Sequence, residues 1–225
     1  AFDKLQDALS LLVDQTRQVA SGDFTVKIEP RSEEDEFSKS LIVMIESLSR
    51  ADKAARREAW FKNGQNEINE LLRGDQTEEE ISDKVVAFLA RYLNAQSGAV
   101  YLLGDSGREL ILKGSYAFVK RKSLSDRFAI GEGIVGQVAK SRKMISITNL
   151  PEDYTRITSA TGDTKPRNVV AFPLLHNNQL AGVIELASIE EFDDDRLAFI
   201  EAVAENIAIS ILSSISRRKL AELLA

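Results

Sequence analysis

The chain contains no cysteine. That absence excludes disulfides, thiolate metal sites, cysteine nucleophiles and thioether-linked chromophores together, and a reducing compartment is compatible with it. Histidine is nearly missing: the one copy, His176, opens the stretch His176-Asn177-Asn178-Gln179. That stretch reads as a hairpin turn, a place for a solvated side chain rather than a haem or metal ligand. No uninterrupted apolar run approaches the ~18 residues of a membrane-spanning helix, and no signal-peptide pattern opens the chain. A basic excess is lacking too. Lys and Arg number 29 against 35 Asp and Glu, a formal charge of −6, which argues against a nucleic-acid partner. The clusters Lys53–Arg57, Lys120–Lys122 and Ser216–Lys219 are short and read as solvated surface. Phosphate-loop, triad and metal-ligand spacings are absent, and nothing in the sequence makes Glu132 and Glu185 an acid–base pair. The chain is expected to be non-catalytic and to need no cofactor.

What is present is rhythm. With 225 residues and 44% apolar content, the chain can hold two cores. It begins inside a helical pattern and so reads as a piece of something longer. Phe2, Leu5, Leu9, Leu12, Thr16 and Val19 follow by steps of 3, 4, 3, 4 and 3, the a/d seam of packed helices. Gly22 ends it. Phe24, Val26 and Ile28 alternate as an extended segment does, and Pro30 keeps Glu29 out of a helix. A second seam follows in Phe37, Leu41, Met44, Leu48, Ala51 and Ala55, with the acids Glu33 to Glu36 at its start, where the helix dipole favours negative charge. An extended connector carries the chain back along the first helix, so the two helices are expected to lie parallel. Their half-exposed seams are most simply completed by a second copy, giving a parallel four-helix homodimer.

This layout resembles the HAMP domain, the signal relay after the last membrane helix of bacterial sensor kinases and chemoreceptors, over about Phe2 to Ala51. The resemblance rests on Gly22-Asp23-Phe24, the Val26/Ile28 connector and Asp35-Glu36-Phe37. Ser38 departs from it, standing where the family usually has Gly, and no Pro precedes the first helix. The alternative is an ordinary amphipathic helix pair.

Leu48 to Leu72 has no proline and only Gly64 as a weak point, so the second helix should run on, with Trp60, Phe61, Ile68, Leu71 and Leu72 as its later apolar face. Arg73-Gly74-Asp75-Gln76 breaks it. Thr77 with Glu80 forms a capping box for a helix carrying Ile81, Val85, Phe88, Leu89 and Leu93. From Ser97 the period falls to two. Ser97–Gly104 and Arg108–Phe118 read as strands about the turn Asp105-Ser106-Gly107. A short helix follows Gly131-Glu132-Gly133, Arg142–Leu150 is a further strand, and Val169–Leu175 with Leu180–Ser188 flank the His176 turn as a hairpin. A last helix starts near Asp193. In it Leu197, Ile200, Ala204, Ile207 and Ile211 recur at 3, 4, 3 and 4, a third seam expected on the dimer axis.

This order, with GEGIVGQVA from Gly131 and the PLL…GVIELAS hairpin, resembles the GAF domain, a small-molecule sensor module, over Thr77 to Ser214. The stretch from Leu71 to Leu103 is similar to those of membrane-bound hybrid histidine kinases in which HAMP precedes GAF. The resemblance implies a pocket between the sheet and the long loop region, lined by Tyr101, Tyr116, Phe128, Ile147, Tyr154 and Phe172. The same side chains would equally fill a core. GEGIVGQ would offer N–H groups to an anion at a helix start, or its glycines would serve a tight turn and close packing. Some relatives attach bilins or reduce methionine sulfoxide through cysteines, which this chain does not have. The Asn-Lys-Phe-Asp-Glu set of the cyclic-nucleotide phosphodiesterase relatives is also missing.

The expected fold is therefore α+β. Residues 1–51 are a HAMP-type parallel helical coiled coil, 52–76 a connecting helix, 77–214 a GAF domain with a central antiparallel sheet and flanking helices, and 215–225 the start of an output coiled coil. The implied function is the relay and sensor segment of a bacterial two-component sensor histidine kinase, in the cytoplasmic portion of an inner-membrane protein. Its partners would be a second copy, an upstream transmembrane sensor, a downstream kinase or other output domain, and an unknown small molecule. Leu5, Leu9, Leu12, Gly22, Val26, Ile28, Glu36, Phe37, Leu41, Met44, Leu48, Ile200, Ile207 and Ile211 would form the relay and dimer seam. Alternatives are a ligand-free dimerisation module, or the regulatory half of a chemoreceptor or diguanylate cyclase.

Overall fold

The computed structural model describes residues 2–30, 32–117, 126–150, 157–159, 162–164 and 166–224, and their side chains apart from those of residues 2–9, 12, 157–159 and 162–164. The chain divides into two compact units, Ala1–Phe61 and Lys62–Ala225.

The first unit holds α1 (Phe2–Ala20) and the beginning of α2 (Glu36–Leu71). Gly22 closes α1 at φ +91°, and the Asp23 N–H reaches back to the Gln18 carbonyl at 3.1 Å. The Asp23 carboxylate accepts from the Thr25 hydroxyl (2.6 Å) and N–H (2.9 Å), which hold its carboxyl below the usual carboxylate range. Beyond this turn Phe24, Val26 and Ile28 are half-buried while Thr25, Lys27 and Glu29 are exposed. The inward three pack on Val19, Leu41 and Ile45, so the connector fills an apolar face as its alternation predicts. Asp35 caps α2, accepting the Ser38 N–H at 3.1 Å, and Glu36 pairs with Lys39 at 3.0 Å. Ser38 is only 2% exposed: the position that departs from the HAMP pattern is a small, buried one. Within the second seam Leu41 turns into this core, whereas Phe37, Met44 and Leu48 are exposed. Leu5, Leu9 and Leu12 lie on α1, and their side chains are outside the described set.

α2 is one helix of 36 residues, as the proline-free run predicts. The turn after it leads to α3 (Glu78–Tyr92), whose capping box joins Thr77 and Glu80 reciprocally. A six-stranded antiparallel sheet follows, in the order β3-β2-β1-β8-β7-β4. Its strands are β1 (Ser97–Leu103), β2 (Glu109–Tyr116), β3 (Arg127–Ala129), β4 (Ile145–Ile147), β7 (Asn168–His176) and β8 (Gln179–Ser188). β5 (Ile157–Ser159) and β6 (Gly162–Thr164) pair apart from it. Asn177 and Asn178, at φ 47° and 63°, make the turn of the β7–β8 hairpin with the twist that suits flanking strands. α4 (Gly133–Ser141) crosses between β3 and β4, and α5 (Asp194–Leu224) ends the chain.

The two sheet faces differ. α3 lies directly on β2: a Cβ on Gly114 would stand 2.5 Å from the Ser82 carbonyl carbon and 2.7 Å from the Asp83 nitrogen. α5 shares that face. Its Phe199, Ile200, Val203, Ile207, Ala208 and Ile211 are all 0% exposed, each large one contributing ~1.5–3 kcal/mol of burial. This corrects the third seam: Ile200, Ile207 and Ile211 are core residues of their own domain and are not available to a partner. α5 is long and apolar enough by composition to cross a membrane, but its apolar stripe is the stripe that covers the sheet. On the opposite face α4 packs through Val135, Val138 and Ala139.

α2 and the turn after it run beside α5 in the same direction. Gly64 meets the Phe199 ring, Asn69 accepts a hydrogen bond from Asn206 at 3.1 Å, and the Gln76 carbonyl accepts from the Ser214 hydroxyl at 2.7 Å. Residues after Ser214 remain attached. Arg218 pairs with buried Glu78 at 2.8 Å and lies 3.7 Å from Asp105, while Lys219 pairs with Asp105 at 3.0 Å. The domain therefore holds α5 beyond residue 214.

Candidate functional site

Strand register decides which predicted pocket residues meet. Tyr101 is paired with Val183 and belongs to the α4 face, together with Ala99, Leu110 and Ala171. Phe128 joins it from β3, the two rings edge to face with centroids 5.4 Å apart. Ile147 pairs with Val169, two residues from the Ile145–Ala171 pair, so it lies on this face too. Phe172 does not. It pairs with Ile184, which pairs with Val100, and that row is on the α3–α5 face, where Phe172 is 1% exposed. Tyr116 is two residues from Gly114, which α3 covers, and pairs with Gly98, so it too is on the far face. Tyr116 has the parity of Leu112, but the register of β2 shifts opposite Val100/Tyr101 and turns Tyr116 to the other face, while Phe172 is one residue out of step with Ala171 on β7. Tyr154 lies outside the described residues.

The α4 face contains one residue that sequence reading set aside. Glu185 pairs across the sheet with Ala99 on one side and Ala171 on the other. Two methyl groups flank the acid in the sheet. Protein surrounds the carboxyl closely enough that desolvation alone pushes its pKa up from the usual carboxylate value to about 7. Yet the residue as a whole is half-buried rather than sealed. Among the described residues no donor is placed on its carboxylate. The sequence did carry a signal: Glu185 is the only charged residue in the strand Leu180–Ser188.

The other candidates resolve into structure. Glu132 accepts the Ala129 N–H at 2.8 Å, closing its own turn, and is no partner of Glu185. A Cβ on Gly136 would collide with the Ala129 carbonyl, and an acid at the cap of α4 repels anions, so the GEGIVGQ glycines serve close packing. His176 pairs with Glu205 at 3.1 Å on the hairpin. Among the described residues no cluster of three or more His, Asp or Glu could hold a metal.

An antiparallel sheet with α3 and α5 on one face and α4 on the other is a domain of α+β class. The family model described as GAF domain matches residues 75–211, more than half of the chain, and the chain belongs to that family, whose domains are regulatory and sensory modules of signalling proteins. The structure is similar to the GAF domain of an Acinetobacter phosphoenolpyruvate-protein phosphotransferase at 14% identity, covering 71% of this chain and 97% of that one, with a TM-score of 0.59. It is similar to a GAF domain of A. aeolicus in an inactive state at 23% identity, covering 68% and 96%, TM-score 0.52. It is also similar to free methionine-R-sulfoxide reductase of Neisseria meningitidis at 16% identity, covering 73% and 93%, TM-score 0.53. At these identities the likeness is one of fold, and the third case shows that this fold hosts catalysis elsewhere. No curated protein matches the chain.

Proposed function

We propose that this chain is the non-catalytic relay and sensor segment of a bacterial sensor histidine kinase, a HAMP-type unit followed by a ligand-binding GAF domain. One observation carries the relay: the single helix α2 supplies Leu41 and Ile45 to the core of the first unit and Gly64 and Ile68 to that of the second. A change of packing or phase in one core is thereby imposed on the other, because packed seams have discrete arrangements. The Gly22 stop, the Asp23 turn and the inward Val26 and Ile28 support the HAMP reading. Exposed Phe37, Met44 and Leu48, with an open groove of 770 Å³ along Phe24, Val26, Ile28 and Ile42, support a homodimer in which a second copy covers these side chains. The upstream partner is then a transmembrane sensor and the downstream one a kinase, with this segment on the cytoplasmic side. The absence of cysteine removes the chemistry by which GAF-fold reductases act.

A small ligand on the α4 side of the sheet shifts the relay by its difference in affinity between two states, typically ~1–3 kcal/mol. The test is helical phase. Inserting one residue after Ala55 turns the later helix by ~100° and should change the resting output of the full-length protein. Inserting a full heptad should largely restore it. Equal kinase or reporter activity for both insertions refutes the relay.

A further inference from the structure

We infer that α5 beyond Ser214 is a releasable arm, with the Glu78–Arg218 ion pair as its pivot and the Asp105–Lys219 ion pair, carried by the β1–β2 turn, as its latch. Packing and charge divide α5 between them. Phe199, Ile200, Val203, Ile207, Ala208 and Ile211 have no exposed surface, and Ser214 is the last buried residue of the helix. Ile215 is half-buried, and every residue from Ser216 to Leu224 is exposed, Leu220, Leu223 and Leu224 included. Apolar burial therefore ceases to hold the helix at Ile215. Charge ties down the turn that follows. Arg217, Arg218 and Lys219 meet three acids from two places in the fold. Arg217 lies 3.6 Å from Asp75 in the turn after α2, and Arg218 lies 2.8 Å from Glu78 at the start of α3. On the β1–β2 turn, Asp105 is 3.0 Å from Lys219 and 3.7 Å from Arg218.

The two attachments differ in how readily they open. The Glu78 side chain is 7% exposed, and parting it from Arg218 would strand a buried charge. The Asp105 side chain is 68% exposed, so water takes the place of its partners when the pair separates. Hydrogen bonding to Lys219, with Arg218 adding to it, holds the Asp105 carboxyl below the usual carboxylate range, and the latch is charged at neutral pH. Under this part of the helix lies a cavity of 240 Å³, its lining including Leu102, Ile111, Leu212, Ile215, Arg218 and Lys219. A filled core resists displacement of whatever packs on it, whereas a gap leaves the side chains around it room to follow. The arm is thus held by charge over incompletely filled space, with one buried tether and one exposed tether. Opening the exposed one lets the arm swing about Glu78 while the rest of α5 stays on the sheet. A movement of the β1–β2 turn then reaches the helix directly, without passing through the core.

The test is amide hydrogen exchange, read by mass spectrometry on the intact chain. Asp105→Asn should speed exchange across residues 215–224 by about two- to fivefold, the range set by an exposed ion pair, while residues 197–211 keep their protection. Lys219→Gln should do the same, and the double variant should exceed neither single one, because both remove one interaction. Salt supplies an arm that needs no variant. Raising sodium chloride to about 1 M, where the screening length falls to ~3 Å, should speed exchange over 215–224 in the wild-type protein, and most of that response should be missing from Asp105→Asn. The inference is overturned if Asp105→Asn leaves 215–224 unchanged, if the two substitutions add, or if 197–211 speeds up equally. A salt response of the same size in both proteins overturns it as well.

Discussion

Replacing Gly64 by Ala in the interior of α2 should stabilise the helix by about 1 kcal/mol on intrinsic propensity. Packing reverses the sign. The added methyl would stand 2.5 and 2.6 Å from two Tyr92 ring carbons and 2.6 Å from a Phe199 ring carbon, where carbons in contact sit ~3.5–4.0 Å apart. Both rings would have to retreat by about an ångström. Phe199 has no free surface, and its ring centroid is 5.1 Å from that of Tyr92, which is itself stacked at 5.2 Å on Phe88. Movement of one ring therefore presses on the next. Overpacking a filled core costs ~1–3 kcal/mol, so the net effect is a loss of about 1 kcal/mol once the propensity gain is subtracted. Urea denaturation reads it as a lower midpoint at unchanged slope. Ala55→Gly, at an exposed position of the same helix, measures the propensity term alone. A higher midpoint for Gly64→Ala would mean that α2 does not rest on this aromatic cluster.

Arg218→Ala should lower stability by about 1–3 kcal/mol, because it strands Glu78 without its charged partner, and adding Glu78→Gln should recover part of that in a double-mutant cycle. In the proposed homodimer, Met44→Asp or Leu48→Asp should shift the mass towards that of a monomer in light scattering with little change in circular dichroism. Leu41→Asp, aimed at the buried core, should instead unfold the first unit. Glu185 carries a pH dependence of defined sign. Its folded pKa, about 7, lies above its ordinary 4.5, so the unfolded chain releases the proton first and stability falls as pH rises through that window. The loss is up to about 3 kcal/mol. Denaturation midpoints of the Glu185→Gln protein should lack this component, and an equal decline in both proteins would show that other groups cause it.

Local chemistry was legible in the sequence. Gly22, the Thr77–Glu80 box, the hairpin at Asn177-Asn178 and the long α2 each follow from rules acting over a few residues. The three-residue strands β3, β5 and β6 did not appear, since so few residues show little alternation, whereas the equally short β4 lies inside the longer apolar run read as a strand over Arg142–Leu150. The larger miss was the seam at Ile200, Ile207 and Ile211. A heptad stripe shows that a helix face is buried but not in what, and here a sheet rather than a second helix covers it. The site was half legible for a related reason. Tyr101, Phe128 and Ile147 reach the α4 face, while Phe172 and Tyr116 lie behind the sheet because face depends on register between strands distant in sequence. Glu185 was passed over because an acid in a strand ordinarily marks solvent, and only the folded sheet shows it between two alanines.

The contact between Gln76 and Ser214, 2.7 Å across one hydrogen bond, bears on how such a protein can be assembled. The chain leaves the domain where it came in, and in the same direction, since Gly64, Asn69 and Gln76 climb α2 and its turn as Phe199, Asn206 and Ser214 climb α5. About 137 residues between them amount to an excursion from a helical rod that resumes at nearly the point of departure. Excising residues 77–213 and bridging the gap with one or two residues, each spanning ~3.8 Å, would join α2 and its turn to the last part of α5. A sensor domain with this geometry can be gained, lost or exchanged by recombination without re-aiming whatever the helix drives.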